Sequence, residues 1–140
     1  MKFLPPKIEF PVRNVDELKH VLERMYNDVY LEVLRHETIA WVEVTSFENS
    51  WVNYGGTNQT AGYVKDAFGF VHLKGVVKNG SSIPTIIFTL PAGYRPTAAE
   101  TFTTHSHGFG ACTVTADGEV VAAVGSVADF WLSGITFYAG

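Results

Sequence analysis

The chain has 140 residues, which gives room for one domain and a short appendage. At 46% hydrophobic and 17% charged, with 13 glycines and 10 phenylalanines, it can bury a core of strands joined by tight turns and is not a disordered chain. A net charge of −4 gives it no general attraction for phosphate backbones, so no nucleic-acid partner is expected.

Residues 1–12 read as an extended arm. Pro5, Pro6 and Pro11 exclude a helix there, while Phe3, Leu4, Ile8 and Phe10 are apolar enough to dock on the same domain, a neighbouring subunit or a larger assembly. Met1-Lys2 is followed by no apolar signal-peptide core, and no long apolar run follows. Synthesis in a cytoplasm, a start near Met1 and no membrane insertion are the expectations.

The next segment predicts a helix. Asn14 and Glu17 form a capping-box pattern, with Asp16 and Glu17 at the positive end of the helix dipole. No Gly or Pro interrupts residues 15–36. Val15, Leu18, Leu22, Met25 and Val29 are spaced 3, 4, 3, 4, the seam of a coiled coil. Only about two heptads are present, and a helix of that length is marginal alone in water. Val21, Tyr26, Tyr30, Leu31, Val33 and Leu34 widen the apolar face beyond a strict seam. Two readings stay open: a lid on the following domain, or copies bundled around an axis.

From Thr38 onward the pattern changes to period two. Residues 39–44 and 51–54 are strand candidates, and residues 55–60 form a polar loop. Residues 63–65, a turn at Asp66-Ala67 and residues 68–78 predict a hairpin with a long second arm, in which Val71, Leu73, Gly75 and Val77 share a face. Residues 79–82 turn the chain, 84–90 form a strand and 91–96 a rigid crossing loop. Strands follow at 101–107 and 109–115, with Cys112 as a buried small apolar residue; a single cysteine excludes an intrachain disulfide. Asp117-Gly118 signals a two-residue hairpin, and 119–124 and 131–138 complete the set. Roughly seven to nine short strands predict a mainly β fold, a jelly-roll-like antiparallel β-sandwich preceded by one N-terminal helix. Residues 1–37 then form the arm and helical stalk, and residues 38–140 the head.

Residues 62–80 read GYVKDAFGFVHLKGVVKNG, residues 86–96 read IIFTLPAGYRP, and a DGEV and a closing LSGITFYAG follow. This ordered set resembles the C-terminal head domain of bacteriophage tail-fibre and receptor-binding proteins, over residues 50–140. The resemblance implies a trimeric β-sandwich head displayed on a virion, in contact with host-surface saccharide, behind a helix that forms a trimeric stalk. Such heads commonly end long proteins with their own attachment domain. Here only the arm and helix precede the head, so residues 1–36 are expected to anchor it to other virion proteins. A trimeric capsid decoration or head-fibre protein with a structural role is the alternative.

Two groups of residues invite a binding role. Trp51, Tyr54, Tyr63, Tyr94 and Trp131 supply faces on which sugars stack, and Trp51 and Tyr54 beside Asn58 and Gln59 make the best cluster. Core packing is the competing reading; it is preferred for Trp51 and Tyr54 and more clearly for Trp131, which lies between Phe130 and Leu132. His105 and His107 in one strand would point to one face, and a threefold axis would gather six imidazoles for a metal ion; a solvent-facing or interface pair is the bland alternative. Apart from that ion no cofactor is expected. Arg95 is expected to pair with a carboxylate or to cap the loop stiffened by Pro91 and Pro96. No paired carboxylates, phosphate loop or triad pattern suggests catalysis, so the expectation is not an enzyme.

Overall fold

A computed structural model describes residues 14–37, with side chains up to Glu32, and residues 40–140. The arm at residues 1–12 and Ile39 of the first strand candidate lie outside the described residues. Contacts divide the chain into two units, Met1–Ile39 and Ala40–Gly140.

In the first unit, helix α1 spans Val15–Glu37, about 34 Å at 1.5 Å per residue. Asn14 caps it: its Oδ1 accepts the Glu17 amide at 2.9 Å, which satisfies one of the donors a helix start leaves unpaired. Tyr26 and Tyr30 stack one turn apart, with centroids 6.2 Å apart. The seam is bare in the single chain. Val15, Leu18, Leu22 and Val29 are exposed and Met25 is half-buried.

The head is mainly β, with eleven strands, and every strand pair is antiparallel. The first sheet has the order β1 (Val42–Glu43), β3 (Gly62–Lys65), β4 (Phe70–Lys74), β11 (Thr136–Tyr138). The second runs β10 (Phe130–Trp131), β5 (Val76–Lys78), β2 (Val52–Asn53). The third runs β6 (Thr85–Thr89), β9 (Glu119–Val124), β8 (Phe109–Val114), β7 (Glu100–His105). Their inner faces bury Val71, Leu73, Val77, Phe88, Val120 and Phe137, among others, in one apolar core. Cys112 is fully buried there, and loss of water pushes its thiol up to about 12, so it is an inert packing group.

Two expected strands are broken, and they break together. The arm at 68–78 divides at Gly75 into β4 and β5, and the strand at 131–138 divides at Ser133-Gly134 into β10 and β11. β4 and β11 pair in the first sheet, β5 and β10 in the second, so the ribbon turns a corner between sheets. The corner is closed by Leu132 N–H to the Gly75 carbonyl at 2.8 Å and by Gly75 N–H to Ser133 Oγ at 3.1 Å. Gly75 has φ +106, and a Cβ there would stand 2.5 Å from backbone atoms of Thr60 and Ala61. Only glycine fits that approach.

The segments carrying the family resemblance build these turns. Asp66 organises the β3–β4 hairpin: its Oδ1 accepts the amides of Phe68 and Phe70 at 2.9 and 3.1 Å. Lys65 Nζ donates to the carbonyls of Gly93 and Gly140 at 2.9 and 3.0 Å. In the crossing loop Arg95 Nε donates to the Leu90 carbonyl at 2.8 Å, which is the capping role expected of it. Asp117-Gly118 turns the chain within a four-residue link between β8 and β9, closed by Gly118 N–H to the Thr115 carbonyl at 2.9 Å.

Asp66 also makes the head acid-sensitive. Partial burial pushes its carboxyl up, but His72 at 2.8 Å and the two amides outweigh that and hold it below the usual carboxylate range. A lowered folded pKa gives stability that is present above the unfolded value, about 3.9. That stability is lost as pH falls through the folded value. Thermal melts between about pH 2 and 6 should therefore show a shallower loss of stability in Asp66→Asn than in the wild type below about pH 4. Identical pH slopes would remove Asp66 from the account.

Candidate binding cleft

Three loops converge on a cleft of about 390 Å³ lined by Tyr54, Asn58, Val76, His105, His107, Ala128, Asp129 and Trp131. The polar loop at 55–60 contributes Asn58. It is tied down by Asn58 N–H to the Gly55 carbonyl at 3.3 Å and by Ala61 N–H to Asn53 Oδ1 at 2.8 Å. Tyr54 enters from the end of β2, its amide bonded to the Val76 carbonyl at 2.8 Å. The residue is 40% exposed, with Lys78 Nζ 4.9 Å from its ring centroid.

The end of β7 supplies His105 and the turn into β8 supplies His107, and Ser106 between them fixes the turn. Ser106 is 3% exposed; its hydroxyl donates to the Asp129 carbonyl at 2.6 Å and accepts the Ser126 amide at 2.8 Å. A Cβ on Gly125 would lie 2.5 Å from Ser106 Oγ, so glycine is what lets the two loops close on each other. This buried hydroxyl, with its bonds satisfied, locks the turn to the loop that carries Asp129.

Asp129 is the centre of the cleft. Its Oδ2 accepts the His107 amide at 3.2 Å and the Trp131 indole N–H at 3.1 Å. His105 Nε2 lies 3.7 Å from Oδ2, and His107 Nδ1 lies 3.5 Å from Oδ1. The imidazoles are 61% and 78% exposed, whereas the carboxylate is 16% exposed. The His105 ring meets Trp131 edge-on at 6.0 Å.

The residues singled out in the sequence are redistributed by this geometry. Tyr54 and Asn58 share the cleft with His105 and His107, although the two groups lie in distant parts of the chain. Trp51 is not available to a ligand. It is 1% exposed, edge-on to Phe130 at 6.0 Å, with its Nε1–H on Thr85 Oγ1 at 2.9 Å. Gln59 is exposed but does not line the cleft; its carbonyl takes the Val76 amide at 3.1 Å. Tyr63 and Tyr94 pack on each other at 5.0 Å, against the core.

Two expectations are corrected. Trp131, read as core, is half-buried and forms a wall of the cleft, because β10 alternates and turns Phe130 inward instead. His105 and His107 do not share a strand: β7 ends at His105, and His107 stands in the turn with φ +53. They face the same carboxylate through that turn. Among the described residues no group of three His, Cys, Asp or Glu side chains is arranged to hold a metal ion. Asp129 itself carried no sequence signal beyond being one aspartate in a small-residue loop.

The fold of this chain is shared by a phage receptor-binding protein. A solved structure with this fold is the receptor binding protein (gp15) of Listeria phage PSA, with a TM-score of 0.73 at 18% identity, over 92% of this chain and 82% of that one. At that identity the likeness is one of fold, and at that level it agrees with the resemblance read over residues 50–140. No protein-family model and no curated protein sequence matches the chain. Among the described residues no helix is long and apolar enough to cross a membrane.

Proposed function

We propose that the chain is the receptor-binding head of a phage virion protein. In this reading it is trimerised by α1, is anchored to other virion proteins through residues 1–36, and grips a host-surface saccharide in the Tyr54–Asp129 cleft. The observation that carries the reading is the composition of that cleft. Saccharides are held by aromatic faces against the C–H side of the ring and by fixed polar groups on the hydroxyls. Tyr54 and Trp131 supply the first, and Asn58, His105, His107 and Asp129 the second. The imidazoles serve as hydrogen-bond partners, and the reading needs no metal ion.

The trimer is supported by α1. Its seam residues Val15, Leu18, Leu22 and Val29 are exposed in one chain, where burial against partner helices would stabilise each by about 1.5–3 kcal/mol. A capsid decoration or head fibre would share the trimer and the anchor but has no use for the cleft, so the cleft favours the receptor-binding role. Light scattering on the full chain should give about 46 kDa, three times the 15.4 kDa of one chain. The protein should also sediment with host envelopes and be released by saccharide hydrolysed from them. A single-chain mass together with no sedimentation on any host envelope contradicts the proposal.

A further inference from the structure

We infer that the cleft selects an uncharged, hydroxyl-bearing sugar ring and rejects anionic ones, with Asp129 as the specificity-determining residue. The inference rests on the saccharide reading above and adds the charge class of the ligand. Asp129 is the one carboxylate in the lining, and no Lys or Arg is present there to offset it. Lys78 is held over the Tyr54 ring and is not part of the lining. Because the carboxylate is only 16% exposed, water screens it poorly, and a phosphate or uronate in the cleft would meet a like charge.

The same carboxylate is well placed to accept from a neutral ligand. Its Oδ2 is filled by the His107 amide and the Trp131 indole, while Oδ1 accepts no hydrogen bond from the described residues. Ser106 holds the Asp129 backbone, and the His107 amide and Trp131 indole hold Oδ2, so the carboxylate is fixed in place. Sugar hydroxyls donate to such a preorganised carboxylate through charge-assisted bonds, with the Asn58 amide alongside.

The test is calorimetric titration of the full-length protein at about pH 8. The probes are neutral hexose and N-acetylhexosamine oligomers and the same oligomers bearing a uronate or a phosphate. The neutral member of each pair should bind at least about tenfold more tightly. Asp129→Asn should weaken the neutral ligand by about tenfold and strengthen the charged one, at an unchanged melting temperature. Tighter binding of the charged member by the wild type, or a neutral affinity unaltered in Asp129→Asn, overturns the charge selection and leaves the saccharide reading standing. Binding of neither class overturns both.

Discussion

Gly75→Ala is expected to destabilise the head by about 3 kcal/mol or more. Two penalties coincide at this position. The backbone has φ +106, where a side chain is strained, and the added Cβ would stand 2.5 Å from the nitrogen and Cα of Ala61 and from the Thr60 carbonyl oxygen. All three are backbone atoms, so no rotamer change relieves the clash. The corner at Gly75 also carries the bond from Leu132 N–H, so displacing it loosens β10 and β5 together. Gly93→Ala is the control: its φ is +93, but a Cβ there meets nothing within 4 Å. Strain alone should bring that variant down by about 1 kcal/mol. Urea unfolding of both variants at one protein concentration separates clash from strain. Equal losses in the two would mean that the corner yields.

The second large effect is on assembly. Leu22→Glu should convert the proposed trimer to single chains, read as a fall in light-scattering mass to about 15.4 kDa. Leu22 sits mid-seam and is 51% exposed in the single chain. In a trimer the substitution would replace three buried leucines with three carboxylates around one axis, which loses apolar burial and adds like-charge repulsion. Near-UV circular dichroism of the head should be unchanged, because the apolar core of the sandwich is built from head residues. A variant that keeps three chains would place the trimer interface elsewhere than on this seam.

Much of the fold was legible in the sequence because single residues carry strong local signals. Asn14 marked the helix start, and it caps as read. Asp66 and the Asp117-Gly118 pair marked turns, and both are turns. The corner was not read, because Val71, Leu73, Gly75 and Val77 alternate without a break. Yet a glycine inside such a run signals a close backbone approach, and the neighbouring Val76 and Val77 are both buried, which no straight strand with one solvent face allows.

The cleft was half legible. Tyr54 with Asn58 and His105 with His107 were each visible as pairs, but nothing local joins them. The join is Asp129, placed by the buried hydroxyl of Ser106 from another hairpin, a tertiary contact with no sequence pattern. Trp131 was misread for a simpler reason. Apolar neighbours on both sides suggested a core run, but strand alternation sends Phe130 and Leu132 inward and leaves Trp131 on the other face.

The claim that this head binds its host through the Tyr54–Asp129 cleft is tested most directly by competition for adsorption. Soluble full-length protein, added to host cells before the phage that carries it, should block adsorption in a dose-dependent way. Tyr54→Ala, which removes an exposed ring of the cleft wall, should block at least about tenfold less well at the same protein concentration. Equal blocking by wild type and Tyr54→Ala, or no blocking by the wild type, would contradict the account.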